Sequence, residues 1–361
     1  MTPSLATVAT AAACRLGELT NRNLVMPLLV FYPTSRCNSR CLSCDWWRSS
    51  GADDLSYEEI VEVARAVPAL RISRVLLSGG EPLLRPDFGR IAALFGGQGA
   101  RVELATSGVL LERRAEAVAA SVDRVTVSLD GAGAASYHAV RGIDGLGALE
   151  AGLARLRALA PRLPVAARAT LHAANFRELP DLVATAHRLG LDGISFLAAD
   201  LSSSAFGRTS AAVPTTGLGV TLDAHHGLLA LLPGAADLDE LDAIIDRTER
   251  DLAHEFDSGF IAEAPDKLRR IPRYYRALRG EGPFPPVSCN APWVSAVVEA
   301  NGAVRPCFFH DPIGNVREKP LPSIIHDDLP RFRRGLVVTT NPVCRRCVCS
   351  LKVGMRSRLW A

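Results

Sequence analysis

Two groups of cysteines are the residues most able to do chemistry. Cys37, Cys41 and Cys44 form a CxxxCxxC run, while Cys289, Cys307, Cys344 and Cys347 lie near the C-terminus with Cys349 beside them. Three thiolates this close can hold three irons of one cubane on a single loop. The fourth iron is then open to an exogenous ligand, as a catalytic cluster requires. A structural zinc site or an unligated trio would use the same residues, although zinc favours a closed set of four ligands and CxxC pairs. In the second group a hairpin signal around Asn301-Gly302 folds Cys289 and Cys307 towards each other, and Cys344-Arg345-Arg346-Cys347 adds a CxxC pair. By spacing alone, tetrahedral zinc and a second cubane both fit that set. Nine cysteines, clustered in a chain of 361 residues, suggest metal rather than a secreted disulfide framework.

The elements that must carry these residues can be read from periodicity. Leu28–Tyr32, Val75–Leu77, Val102–Ala105, Val125–Leu129, Val165–Leu171 and Ile194–Leu197 read as strands, with helical patterns between them. One helix is announced by Ser56-Tyr57-Glu58-Glu59, a capping box ahead of Ile60, Val63, Ala64 and Val67. Six strand–helix steps predict an α/β fold, a partial (β/α)6 TIM-like barrel over residues 28–200. Chemistry in such barrels gathers at the C-terminal ends of the strands. Ser78-Gly79-Gly80-Glu81-Pro82, Thr106-Ser107-Gly108 and Ser128-Leu129-Asp130-Gly131 fall there, and Cys37–Cys44 directly follows the first strand.

Residues 1–27 form an N-terminal extension, and 201–285 a helical bridging segment with helices at about 238–257 and 266–279. Within it, Ser202–Gly219 is rich in Ser, Thr and Gly and is expected to be a loop. Residues 286–361 are expected to form a small α+β domain around a hairpin whose Asn301-Gly302 suits a type I′ turn.

Composition excludes several partners. A net charge of +3 is too small to suggest nucleic acid or an acidic membrane. No apolar run has the length of a membrane span. Ala11-Ala12-Ala13-Cys14 has the look of a lipoprotein cleavage site, but no Lys or Arg precedes it, so the expected location is the cytoplasm.

With the cysteine loop behind the first strand of such a series, residues 28–200 resemble the radical S-adenosylmethionine (SAM) superfamily. The resemblance implies that Cys37, Cys41 and Cys44 hold a [4Fe–4S] cluster whose open iron binds SAM. Electron transfer then yields a 5′-deoxyadenosyl radical that takes a hydrogen from the substrate. Ser78, Gly79, Gly80 and Glu81 resemble the family's GGE motif: the glycines admit the methionine part of SAM, and Glu81 accepts from its ammonium. Ser128 and Asp130 match ribose-contacting positions, Arg168 one that pairs the SAM carboxylate, and Thr106, Ser107 and Asn175 are further polar strand-end residues. Arg141-Gly142 resembles a recurrent Arg-Gly in relatives with a C-terminal cluster domain, which makes Arg141 a candidate catalytic residue. One departure is Ser43, where an aromatic residue is common; Trp46 or Trp47 could pack near the adenine instead.

The C-terminal cysteines then resemble a SPASM/twitch-type domain, implying a second [4Fe–4S] cluster on Cys289, Cys307, Cys344 and Cys347. The full SPASM cysteine series is not continued after Cys347, which favours the shorter twitch form with one auxiliary cluster. Two thiols two residues apart face opposite ways in an extended segment, so Cys349 is expected to be spare or a hydrogen-atom donor. The layout resembles twitch-type 2-deoxy-scyllo-inosamine dehydrogenases, implying oxidation of a small hydroxylated metabolite such as a cyclitol or sugar. Flavodoxin or ferredoxin is the implied reducing partner. Modification of a ribosomal peptide, sugar epimerisation and a non-enzymatic metal scaffold are the alternatives. The 27 residues before the first strand look too few for a peptide-recognition domain.

Overall fold

A computed structural model describes residues 5–203, 205–208 and 228–354. The expected 202–219 loop therefore lies largely outside the described residues. The chain opens with helix α1 (Leu5–Thr20), then alternates β1 (Leu28–Thr34), α2 (Tyr57–Leu70), β2 (Arg74–Gly79), α3 (Phe88–Gly97), β3 (Arg101–Thr106), α4 (Leu111–Ser121) and β4 (Arg124–Ser128). Two helices, α5 (Ala134–Arg141) and α6 (Leu146–Leu159), precede β5 (Val165–Leu171), and α7 (Leu179–Arg188) leads to β6 (Ile194–Ala198). The bridging segment holds α8 (Ala235–Asp251), α9 (Ala253–Ser258), α10 (Pro265–Leu268) and α11 (Arg270–Leu278). The C-terminal part holds α12 (Ala291–Val294), β7 (Ser295–Val298), β8 (Ala303–Arg305), β9 (Gly314–Asn315), α13 (Leu321–Ser323), α14 (Leu329–Arg334) and α15 (Pro342–Arg345).

Strand alternation explains the layering. Leu29 and Phe31 of β1 join Val75, Leu77, Val102, Leu104, Val125 and Val127 in the main core under the helices. Their neighbours Val30 and Tyr32 turn to the other face, where they pack with Val297 and Ala300. The Ser56 capping box forms as the sequence implies: the hydroxyl accepts from Glu59 N at 3.2 Å, and Glu59 Oε2 accepts from Ser56 N at 2.8 Å.

Six parallel strands form the barrel wall, but the sheet does not stop there. Its order is β6-β5-β4-β3-β2-β1-β7-β8-β9. β7 pairs in parallel with β1, from Leu28 opposite Ser295 to Phe31 opposite Val298. The expected small domain is thus grown onto the open edge of the barrel. The hairpin is also built differently from the expectation. Glu299 O accepts from Gly302 N at 2.9 Å, and Gly302 alone of the Asn-Gly pair is left-handed, at φ +85°. A type I′ turn needs both residues there, so this is a bulged turn.

Candidate functional site

The first cysteine loop is gripped by four separate segments. Asp54 accepts from Thr34 Oγ1 at 2.5 Å and from Ser35 N and Oγ at 3.0 and 2.7 Å, fixing the exit of β1. Thr34 O and Arg36 O accept from Gly80 N at 3.1 Å and Glu81 N at 2.7 Å. The end of α5 offers Val140 O to Leu42 N at 3.0 Å and Arg141 O to Arg40 N at 2.9 Å. After β6, Phe206 O accepts from Asp45 N at 2.9 Å and from the Cys44 thiol at 3.5 Å, and Arg208 donates to Ser43 O at 2.7 Å. Arg208 is itself buried and ion-paired with Asp200 at 3.2 Å. Burial pushes the free thiols up, Cys37 to about 11 and Cys44 to about 12, and Cys41 also rises. Cys37 has Cys41 among its charged neighbours and Cys44 has both Cys41 and Cys37, while Cys41 lies between Arg141, which lowers it, and Asp130, which raises it.

The glycines after β2 serve this grip. A Cβ on Gly80 would lie 2.1 Å from Arg36 O, and one on Gly79, at φ +102°, 2.7 Å from Tyr32 Cβ. Glu81 is drawn into the interior beside them. It is 1% exposed, and its Oε1 accepts from Leu83 N and Thr106 Oγ1 at 3.1 and 2.8 Å. Its Oε2 accepts from Ser107 N and Oγ at 2.8 and 2.7 Å. Four internal donors fill the lone pairs of a carboxylate, leaving none for an external ammonium. In this arrangement Glu81 is a tie between the ends of β2 and β3.

Asp130 is also tied. Its Oδ2 accepts from Arg141 at 2.9 Å, its Oδ1 from Thr170 N at 2.8 Å, and its backbone carbonyl from Asn175 Nδ2 at 2.9 Å. Arg141 therefore reaches Asp130 with its side chain and the cysteine loop with its carbonyl, while Cys41 and Asp130 beside it hold the guanidinium firmly charged. Gly142 beyond it is left-handed, φ +66°, and approaches Arg40 O so closely that a Cβ would stand 2.6 Å away. Ser128 and Arg168 are opposite each other in the register of β4 and β5, on the inner face. Arg168 is exposed, with its Nε donating to Ser195 Oγ at 3.2 Å. Trp46 packs edge-on to Tyr32 at 5.8 Å, and Trp47 lies under the Arg48 guanidinium at 4.3 Å.

The second cysteine group is assembled from three places. Cys289 precedes α12, Cys307 follows β8, and Cys344 and Cys347 frame the end of α15. Burial pushes Cys307 up to about 11 and Cys344 to about 12, and Cys347 and Cys349 also rise. Cys307 and Cys347 both count Cys289 and Cys349 as charged neighbours. Cys349 does not turn away as an extended segment would require: residues 347–349 bend, the Cys347 thiol donates to Cys349 O at 2.9 Å, and both thiols neighbour Cys289. The charged group acting most strongly on Cys349 is Arg168, so this thiol approaches the barrel's inner face. Among the described residues no three His, Cys, Asp or Glu side chains converge on a single-ion geometry.

Comparison with known families resolves the zinc-or-cubane alternative that spacing left open. The radical SAM superfamily model matches residues 31–192, and the SPASM model, an iron–sulfur cluster-binding domain, matches 289–348. The chain carries a radical SAM domain followed by a SPASM domain. Its radical SAM domain binds SAM and a [4Fe–4S] cluster, and its SPASM domain binds auxiliary iron–sulfur.

Relatives include a GTP 3′,8-cyclase of Geobacter sulfurreducens, 37% identical over 134 residues that make up 33% of this chain and 40% of that protein. An AdoMet-dependent heme synthase of Methanosarcina barkeri is 34% identical over 168 residues, 45% of this chain and 48% of the relative. The chain thus spans less than half the length of these relatives. Among solved structures, Streptococcus suis SuiB bound to S-adenosylmethionine is 14% identical with a TM-score of 0.61, covering 95% of this chain and 80% of that one. The anSMEcpe structure with bound AdoMet is 16% identical with a TM-score of 0.58, covering 84% and 81%. These likenesses bear out the barrel-plus-SPASM fold.

The residues present suit the radical SAM cofactors. Four buried polar atoms without a partner, Asn38 Oδ1, Ser39 Oγ, Arg141 Nε and Arg208 Nε, lie in or against the Cys37–Cys44 loop. A fifth, His172 Nε2, follows β5. Orphaned polar atoms gathered at one loop are what a polar ligand leaves behind when it is taken away. Asp54 and Arg208, with Asp200 paired to the latter, were not legible in the sequence, because nothing local marks them and the contacts of Asp54 and Arg208 with the loop span 19 and 165 residues. No helix among the described residues is long and apolar enough to cross a membrane.

Proposed function

We propose that this radical SAM enzyme oxidises a small hydroxylated metabolite, such as a cyclitol or sugar, at the mouth of the barrel. When bound, the cofactors would supply a 5′-deoxyadenosyl radical and a one-electron acceptor. The observation carrying this reading is the proximity of Arg168, on the inner face of β5, to Cys349, in the auxiliary segment. It supports a second cysteine group standing beside the space where SAM would lie. Removing a hydrogen atom, an electron and a proton from a carbinol leaves a carbonyl, so the reaction balances as a two-electron oxidation.

The chain's own residues divide the work. Cys37, Cys41 and Cys44 hold the first cluster, and Cys289, Cys307, Cys344 and Cys347 the auxiliary one. Ser128 and Arg168 orient SAM from the inner face, with Asp130 fixed behind them by Arg141. Glu81, Thr106 and Ser107 position the turn on which the cysteine loop rests. An acidic one-electron carrier such as flavodoxin or ferredoxin supplies the reducing electron, and the reaction belongs in the cytoplasm.

Anaerobic incubation with carbon-deuterated cyclitols and sugars tests the reading. Deuterium in 5′-deoxyadenosine together with a carbonyl product supports it; label arising only from a deuterated peptide replaces it with peptide modification. Epimerisation is a second reading, favoured by the Cys349 thiol near the inner face, since an epimerase must return a hydrogen to its substrate. Under that reading Cys349→Ala keeps its iron and still forms 5′-deoxyadenosine but loses the epimer.

A further inference from the structure

His310 is buried, 6% exposed, three residues beyond Cys307. Its imidazole Nε2 lies 3.3 Å from the Cys344 sulfur. Its backbone amide, with that of Phe309, faces the Cys307 sulfur and favours its thiolate. One residue therefore touches a cysteine on the hairpin and a cysteine of the CxxC pair, 37 positions apart in the chain. The contact is held from both sides. Arg305, paired with Glu299 at 2.8 Å, donates to His310 O at 2.9 Å, and the imidazole meets the Phe332 ring edge-on at 4.9 Å.

We propose that His310 is a positioning residue of the auxiliary site, donating its imidazole N–H to the Cys344 sulfur and thereby raising the reduction potential of the cluster bound there. The proposal rests on Cys344 being a ligand. A thiolate is acceptor-only, so the hydrogen bond requires the proton on Nε2. Such a bond withdraws negative charge from sulfur and favours the reduced, more negative cluster, which is one of the levers that set iron–sulfur potentials. A site meant to receive an electron from a substrate gains from it. The ring also fixes the distance between the hairpin and the short helix α15, because Phe332 prevents it from swinging away.

The test is an EPR-monitored redox titration of the anaerobically reconstituted full chain. Added SAM shifts the signal of the first cluster and so marks the remaining signal as auxiliary. His310→Leu should move the auxiliary midpoint to more negative potential and leave the SAM-sensitive one in place. His310→Gln, whose amide N–H occupies a similar position, should restore most of the shift. Equal midpoints in wild type and His310→Leu, with iron retained, would overturn the proposal. Loss of the auxiliary signal in both variants, with the first cluster intact, would also overturn it by making His310 a ligand. Cys344→Ala separates this proposal from the reading beneath it: an auxiliary signal that survives there refutes the ligand assignment itself.

Discussion

Arg141 and Asp130 are two side chains whose removal should be felt well beyond their own positions. Their ion pair is nearly sealed, with side-chain exposures of 11% and 7%. Breaking a buried pair by deleting one partner strands the other charge and costs about 3–5 kcal/mol. Arg141→Gln should therefore lower the stability of the iron-free protein in urea by that order, and a loss below about 1 kcal/mol would mean the pair behaves as an exposed one. His172 offers a pH signature. Burial pushes its imidazole from 6.5 down to about 4, so an unfolded chain takes up that proton before the folded one does. Stability from this residue is complete above pH 6.5 and is lost as pH falls towards about 4, with a slope of up to about 1.4 kcal/mol per pH unit. His172→Leu should flatten the wild-type slope in that window, and parallel curves would count against it. At this scale the cysteines were legible because their spacing is their chemistry. The partners of Glu81 were not, because Thr106 and Ser107 arrive from the next strand, 25 and 26 residues away.

At the scale of elements, the turn after β2 and the cysteine loop form one backbone-to-backbone joint. Gly80→Ala would drive a Cβ into Arg36 O, 2.1 Å away, and backbone cannot yield as a flexible side chain can. The anaerobically reconstituted variant should lose about half of the roughly eight irons that two cubanes hold. Gly147→Ala, on α6 with nothing within 4 Å, should keep them and serve as the control. Retention of full iron and SAM binding by Gly80→Ala would contradict the joint. The barrel strands could be read from the sequence because alternation and β-branched residues mark them, and the observed bounds differ by at most two residues. Helix α1 was missed because an Ala/Thr-rich stretch carries little periodic contrast. The hairpin turn was misread because Asn-Gly also suits a turn in which only the glycine is left-handed.

The whole molecule is joined by a pairing that no local pattern reveals, β1 against β7. Strand β1 would become an edge strand without the C-terminal part, and Val30 and Tyr32 would lose the cover that Val297 and Ala300 give them. A chain ending at residue 285 should aggregate on gel filtration, and a monodisperse fragment that binds SAM would show the barrel to be independent. This continuity ties the segment between Cys289 and Cys307 directly to the edge of the barrel. The account stands or falls on two sites with separate duties, and the yield of 5′-deoxyadenosine from SAM under reducing, anaerobic conditions tests it most directly. Wild type should form it, the Cys37→Ala, Cys41→Ala, Cys44→Ala triple variant should form none, and Cys344→Ala should still form it while losing the oxidised product. Undiminished 5′-deoxyadenosine from the triple variant, or none from wild type holding its full iron, would contradict the account.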